Sequence, residues 1–482
     1  MFDKLKRLAG QSFIYTSAEL LRSSLAFLLL PIYTTILTPA DYGILGVVGP
    51  LYAFLSFFLG LGIQNSLTRF YFDYSDRKKL QEYIGTVAIF LLGSSLGLSV
   101  LLTVGGPRLF GLVLPQTPFF PFVLLTVWNA CISVTRVLPL ILFRVEEQPA
   151  RYAALNLIDF LVTTGLIIYF VVGLRRGALG NLEAQVIAAV IIAVPSLWIT
   201  ARRSRLHFSW GQVGASLAFS LPLLPHLLGN WILNLSDRVV LDQFVSKADL
   251  GLYTLGYQFG LLLNILAVAL NNAWVPFFYK HAGDREHDEL VSLFTTYQVL
   301  VVAGLALALA LLSREAIEIV AAPSYLMAYQ VAPWIIFGYL ARFLYLFPVN
   351  GLFYAKRTHW VSLGTLLTGA LNIGLNLWLV PRYGILAAAV NTFIAFAVLL
   401  IVIYSIGQRI FPIRYQYRRI GQILVLAAGL YATGAWLAPD SLWPRVAVKT
   451  AILAAFPLLL WVTGFLSPAE RKRLTGLWQK VL

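Results

Sequence analysis

The sequence predicts an all-α, polytopic membrane protein of about fourteen transmembrane helices, two six-helix bundles followed by two further helices. Three observations predict it. The first is composition: of 482 residues, 59% are hydrophobic and only 12% charged, with a mean hydropathy of +0.79, more apolar side chain than one soluble core can bury. The second is a succession of apolar stretches, each long enough to cross about 30 Å of hydrocarbon. The third is an internal repeat, in which Ala40-Asp41-x-Gly43 recurs as Ala248-Asp249-x-Gly251 and Phe70-Tyr71 recurs at the same offset as Phe278-Tyr279. Each copy holds an even number of spans, so both enter the membrane from one side, and the repeat is a parallel one about an axis along the membrane normal.

The spans fall near residues 12–37, 43–65, 82–104, 119–143, 152–173 and 180–200 in the first half. In the second half they fall near 213–235, 250–274, 291–312, 328–353, 360–380 and 384–406, with 418–438 and 445–466 beyond the repeat. The expected domains are 1–205 as the N-terminal bundle, 206–410 as the C-terminal bundle, and 411–482 as the two added helices with their tail. The chain starts with the basic Lys4, Lys6 and Arg7, but Glu19 and Arg22 interrupt the apolar stretch after them and no small-residue cleavage site is present. This first stretch therefore reads as a retained helix rather than a signal peptide. The second span opens on Thr38-Pro39-Ala40-Asp41 and the eighth on Ser246-Lys247-Ala248-Asp249, each a hydroxyl followed three residues later by an acid, with Pro39 at a tolerated first-turn position. Asp41 and Asp249 are read as helix caps. Pro222 and Pro225 bend or break the seventh span. Residues 467–482, where Arg471, Lys472, Arg473 and Lys480 stand against Leu474, Leu477, Trp478 and Leu482, suit a short helix lying at the membrane surface.

The net charge of +15 comes from 36 basic against 21 acidic residues. About two-thirds of the basic residues fall in the termini and the even-numbered loops, in clusters such as Arg77-Lys78-Lys79, Arg202-Arg203 and Arg418-Arg419, which orients both termini to the cytoplasm. The expected location is the cytoplasmic (inner) membrane of a bacterium or archaeon. The charge serves topology and anionic lipid headgroups, since no soluble basic domain is left to bind nucleic acid. One cysteine, Cys131, permits neither an intrachain disulfide nor a cysteine metal site. The chain contains no Gly-x-x-x-x-Gly-Lys phosphate loop, no Gly-x-Ser-x-Gly and no zinc signature, so neither enzyme, cofactor nor catalytic metal is expected. His281, Asp284, His287, Asp288 and Glu289 imitate a metal cluster but read as a solvated charged loop.

Three arginines, Arg22, Arg136 and Arg342, lie inside spans, where a charge is costly and must face a protein interior or a watery cavity. Arg22 and Arg342 sit roughly halfway across, too deep for snorkelling, while Arg136 lies nearer one surface. Glu19, one turn before Arg22, and Asp159, at a depth similar to Arg136, are the acids placed to pair with them. Arg342 has no acidic neighbour in sequence, which makes it the sharpest anion-binding candidate. His226, Asn230 and Asn234, spaced by four on the kinked seventh span, form one polar face suited to a cavity wall, and the repeat offset sets Asn230 opposite Arg22. Glu19, Asp159 and His226 are the titratable groups best placed to couple the movement of an ion, H+ or Na+. Asn264, Asn271, Asn272, Asn372 and Asn376 read as interhelical hydrogen-bonding residues.

Several motifs together carry a resemblance along the whole chain. They are Leu30-Pro31, Leu37-Thr38-Pro39-Ala40-Asp41-Tyr42-Gly43 and Leu61-Gly62 running to Arg69-Phe70-Tyr71, then Pro222, Asp237-Arg238, Gly251-Leu252-Tyr253 and Gly384-Ile385-Leu386-Ala387-Ala388-Ala389. On these residues the chain resembles the polysaccharide-exporter, or lipid-linked oligosaccharide flippase, branch of the multidrug, oligosaccharidyl-lipid and polysaccharide (MOP) export superfamily. The resemblance implies two bundles enclosing a cationic cavity that opens alternately to each side. It implies as cargo a polyprenyl diphosphate carrying a short glycan, moved for polysaccharide or O-antigen biosynthesis, with a polysaccharide polymerase as a protein partner. Arg22 matches a first-helix arginine of related lipid-precursor flippases. The chemistry of the arginines agrees, because guanidinium stays charged and can hold phosphate in a two-pronged contact. Glu19 departs from a purely cationic cavity.

Three rival readings stand beside it. A flippase for the peptidoglycan lipid precursor shares the mechanism. A drug or cation antiporter of the same superfamily wants net acidic cavity residues, whereas here three deep arginines outnumber two acids. A membrane glycan polymerase usually needs a long extracytoplasmic loop or an aspartate-rich face, and the chain has neither.

Overall fold

The computed structural model describes residues 30–281, 288–467 and 470, with every side chain there except those of Leu223, His226, Asn230 and Asp288. Glu19, Arg22 and the tail 471–482 thus lie outside the described residues. Regular structure among the described residues is helical throughout. We number the helices α1 Leu30–Ile36, α2 Pro39–Phe58, α3 Gln64–Phe70, α4 Arg77–Val113, α5 Phe119–Val145, α6 Pro149–Gly173, α7 Gly177–Arg203 and α8 Trp210–Ser220. Next come α9 Leu224–Phe244, α10 Lys247–His281, α11 Asp288–Val320, α12 Ala332–Tyr354, α13 Thr358–Ile410, α14 Tyr417–Trp436 and α15 Leu442–Val462. Ten of these are long and apolar enough to cross a membrane, which makes the chain a multi-pass membrane protein. Large apolar side chains such as Leu112, Val194 and Val425 stand more than two-thirds exposed on their outer faces, as contact with lipid tails requires.

The difference from the fourteen expected spans has identifiable causes. The first span is described only from Leu30 onward. The seventh is divided by a 3-10 turn, Leu221–Leu223, at the prolines, into α8 and α9. α14 opens on Arg418, Arg419 and Gln422 and falls short in apolarity. The eleventh and twelfth run together in α13, whose 53 residues as one straight helix would measure about 80 Å. Gly384, at φ 59° and ψ −142°, breaks it in two, and Gly364 packs against Ile403 across the break, so the segments lie side by side.

Several helices outrun the expected boundaries. α9 continues past residue 235 and α11 past 312, which moves Asp237, Arg238, Glu315 and Glu318 from expected loops into helices, and α15 starts three residues before 445. Hydropathy ends a span at the first charged residue; a helix continues through it once the charge is paired.

The chain packs as two compact units, one of residues 1–254 with 373–388 and the other of 255–372 with 389–482. In the first unit, Ile63, Leu67, Tyr83, Val87, Leu138 and Val213 form a buried cluster where α3, α4, α5 and α8 meet. The Tyr83 hydroxyl lies 2.9 Å from both the Ser66 and Ser216 hydroxyls, tying three of those helices together. In the second unit, Tyr257, Val299, Ile335, Tyr339, Phe343 and Phe396 are essentially inaccessible to solvent, and α14 and α15 lie against α11.

The sequence repeat becomes a physical contact inside the first unit. Thr38 and Asp41 form the expected capping box, with each side chain bonded to the other residue's backbone N–H. Ser246 and Asp249 reproduce the cap at the start of α10. Each repeat then presents a glycine to the other: a Cβ on Gly43 would fall 1.9 Å from the Lys247 carbonyl oxygen, and one on Gly251 would fall 1.9 Å from that of Pro39. The first turns of α2 and α10 therefore cross backbone to backbone. α9 runs along α2 and fastens to it by the Trp231 indole N–H donating to the Pro50 carbonyl, 2.9 Å.

Gly43→Ala and Gly251→Ala are each expected to lower the melting temperature of the purified protein, by an overpacking cost of about 1–3 kcal/mol. Gly49→Ala, in the same helix but facing open space, is the control and should not.

Candidate functional site

Arg136 stands at a helix irregularity. α5 tightens to a 3-10 turn over Val134–Arg136, a local break in regularity of the kind that often marks a working part of a span. The turn aims the guanidinium into a polar cavity of about 90 Å³ within the first unit, lined also by Tyr52, Asn129, Ser133, Asp159 and Gln185. Arg136 makes an ion pair there with Asp159 of α6, and both side chains keep 15–18% of their surface accessible. Beside it runs a hydrogen-bonded chain: Ser133 donates to Asn129 (3.3 Å), Asn129 to Gln185 (3.1 Å), and Gln185 to Asn181 (2.6 Å). The arrangement is a charged pair in a small polar pocket, whose two members lose their mutual attraction if the carboxylate is protonated.

Arg342 lies in the second unit on α12. Its guanidinium carbon is 5.7 Å from the ring centres of both Tyr339 and Phe396, so two aromatic faces hold a half-buried cation. Tyr339 is itself steadied by its hydroxyl donating to that of Tyr257, 3.1 Å. Asn234 lies on α9, and its carbonyl accepts from Arg238 at 3.1 Å. His226 and Asn230 lie on the same helix, with their side chains outside the described set. Among the asparagines expected to join helices, Asn271 accepts from Asn350 at 2.9 Å.

Sequence reasoning missed three networks of buried charge. Asp237 and Arg238, each no more than 5% exposed, pair at 3.1 Å; the Tyr253 hydroxyl donates to Asp237, which locks α9 to α10. Asp242 takes the Lys247 ammonium, the Thr117 hydroxyl and the Gln116 N–H, joining the turn before α5 to the turn before α10. Arg445 and Lys449 of α15 meet Glu315 and Glu318 of α11, with Glu315 bonded to Arg445 at 2.7 Å and to Lys449 at 2.8 Å. Leaving one of these charges unpaired would cost about 3–5 kcal/mol, so the last network clamps the added helices to the second unit. The signal was present in the sequence: basic residues four apart in one span facing acids three apart in another.

A fourth contact lies outside the spans. Glu470 receives Arg419 through both guanidinium nitrogens, at 2.6 and 3.2 Å, together with the Tyr297 hydroxyl and the Ser467 N–H. The Arg419 bonds, opposing the upward push of burial, hold its carboxyl down from 4.5 to about 2. A carboxylate lowered in this way stabilises the folded protein fully above pH 4.5 and loses that contribution as the pH falls toward 2. The melting-temperature difference between wild type and Glu470→Gln should therefore hold steady from neutral pH to about 4.5 and vanish near pH 2.

Residues 8–281, more than half of the chain, match the family model described as polysaccharide biosynthesis protein, and the chain belongs to that family. Lsg locus putative protein 1 of Haemophilus influenzae is 25% identical over 283 residues, covering 56% of this chain. An uncharacterized membrane protein of the same organism is 24% identical over 280 residues, covering 57%. In both cases the match spans 65% of the relative's own length. Among solved structures, the lipid II flippase MurJ in an inward closed conformation aligns with a TM-score of 0.74 over 94% of this chain and 98% of that one, at 13% identity. An inward-facing multidrug resistance MATE family transporter of the MOP superfamily aligns with a TM-score of 0.61 over 83% and 95%, at 16% identity. At these identities the likeness is one of fold, a polytopic helical fold shared with both transporters.

Proposed function

We propose that the protein is a flippase that carries a polyprenyl-diphosphate-linked oligosaccharide across the cytoplasmic membrane by alternating access, for polysaccharide or O-antigen biosynthesis. The observation that carries this reading is the twofold glycine contact between the repeats of a polysaccharide biosynthesis family member. At Gly43 and Gly251 the two turns meet backbone to backbone, so their parting there unlocks no interdigitated side chain. The moving bodies in this reading are the repeat halves, 1–205 and 206–410, with 411–482 attached to the second. α9 belongs by sequence to the second half yet packs on α2, so it is the element that exchanges partners between states.

Arg22, Arg136 and Arg342 take the diphosphate in turn, and Asn230 and Asn234 form the polar wall beside them. Two aromatic neighbours, Tyr339 and Phe396, hold the Arg342 guanidinium in place for this. Asp159 is the coupling group: as a carboxylate it occupies Arg136, and on taking a proton it releases that arginine to the cargo. Glu19 and His226 are the further coupling candidates. A transmembrane potential supplies about 2.3 kcal/mol per charge per 100 mV, enough to bias such a step. Both termini lie in the cytoplasm, and a polymerase takes the cargo on the far side.

In proteoliposomes given labelled polyprenyl-diphosphate oligosaccharide, wild type should move label across the bilayer without lengthening the glycan. Arg342→Ala should slow flipping about tenfold, the worth of one charge-assisted contact, and Arg342→Lys should recover only part, since lysine lacks the planar fork. Unchanged rates in both Arg342→Ala and Arg22→Ala would remove the arginines from the site. In the same assay with a proton gradient imposed, Asp159→Asn should equilibrate label but fail to concentrate it; concentration equal to wild type would exclude Asp159 from coupling.

A further inference from the structure

The second unit contains a groove that the flippase reading leaves unused. It is about 370 Å³ in volume and lies among α11, α12, the later segment of α13 and α14, with Val299, Leu344, Phe347, Leu400 and Ile420 among its apolar lining. It opens on the outer face of the bundle past Ile401 and Tyr417, both more than half exposed. One polar atom in its wall is out of keeping: the hydroxyl of Tyr415 is buried and has no hydrogen-bond partner among the described residues. An orphaned buried hydroxyl costs about 1–3 kcal/mol, so its retention calls for an acceptor arriving from elsewhere.

A second, polar pocket of about 530 Å³ adjoins it, lined by Glu289, Ser292, Arg414, Gln416, Arg419 and Glu470. The two share walls. Ser292 and Thr295 are one turn apart on α11, and Gln416 and Arg419 of the polar pocket alternate with Tyr417 and Ile420 of the groove. Arg419 is committed to Glu470, and Glu289 is an exposed acid at the rim. Arg414 is exposed and has no ion-pair partner among the described residues. The exposed Arg409 and Arg418 nearby add to the local positive charge.

We infer that this paired pocket and groove hold an anionic glycerophospholipid of the bilayer, with its phosphate on Arg414, its ester region at the Tyr415 hydroxyl and an acyl chain along the Val299–Leu344–Leu400 wall. Charge favours this occupant over the polyprenyl cargo. Arg414 is the one guanidinium in the pocket lining without an ion pair among the described residues, which matches the single negative charge of a phosphodiester, whereas a diphosphate calls for more than one cation in direct contact. A basic pocket beside a lipid-facing apolar groove between helices is a physical match for an anionic headgroup and its tail. The bound lipid would fill the seam between the second bundle and the added helices.

The test is native mass spectrometry of the full chain, delipidated in detergent and titrated with phosphatidylglycerol or phosphatidylcholine, with melting temperature followed in parallel. Wild type should retain phosphatidylglycerol preferentially and gain thermal stability from it. Arg414→Gln should weaken retention about tenfold. Tyr415→Phe, which deletes only the hydroxyl, should weaken it less, and Leu344→Trp should block it by filling the groove. The lipid-free melting temperature should match wild type for Arg414→Gln and be no lower than wild type for Tyr415→Phe, which removes an unpartnered hydroxyl, separating lost binding from lost folding. Equal retention of the two lipids, or retention unchanged by both Arg414→Gln and Tyr415→Phe, would overturn the inference. So would displacement of phosphatidylglycerol by polyprenyl diphosphate, which would give the groove to the cargo.

Discussion

A charge in hydrocarbon must have a partner, and the architecture of this protein is organised around meeting that demand. Arg136 finds Asp159, Asp237 finds Arg238 and Tyr253, Asp242 finds Lys247, and Glu315 finds Arg445 and Lys449. These pairs add little net stability, since desolvation opposes their attraction, but removing one member leaves an uncompensated ion. Their value is therefore positional: each one forces two particular helices to stay in register. Lipid supplies no hydrophobic drive between helices, so register depends on such contacts and on close backbone approach.

The glycine crossing is the complementary device. Where paired charges hold helices together by strong local contacts, Gly43 and Gly251 let the equivalent turns of the two repeats touch without any side chain between them. The caps at Thr38–Asp41 and Ser246–Asp249 satisfy the first N–H groups of both helices, so the turns that meet are already complete. Asp41 adds a further tie by accepting from the Ala178 N–H at 3.0 Å, which fastens the start of α7 to the same corner.

Much of the fold was legible beforehand because membrane proteins obey few rules. Spans, the prolines that break the seventh, the capping boxes and the repeat all come from local composition and spacing. The extent of α9, α11 and α15 escaped, for a reason that is physical rather than statistical. Hydropathy treats Asp237 or Glu315 as a stop, and only a partner on another helix converts it to an interior residue. For the same reason the ionic networks at Asp242 and Lys449 stayed hidden, although their spacing along each helix could have drawn notice.

The amino-acid order by itself determined that the chain crosses a membrane many times and that Arg136, Asp159 and Arg342 are the expensive residues needing an explanation, because each of these stems from the cost of placing a polar group in lipid; it also showed two short motifs recurring at one offset. Tertiary structure alone decided which acid faces which base, that the repeat motif closes on itself through two glycines, and that an apolar groove adjoins a polar pocket holding Arg414, which has no ion-pair partner among the described residues. Those are relations between helices distant in sequence, and no local propensity encodes the distance between side chains on different spans.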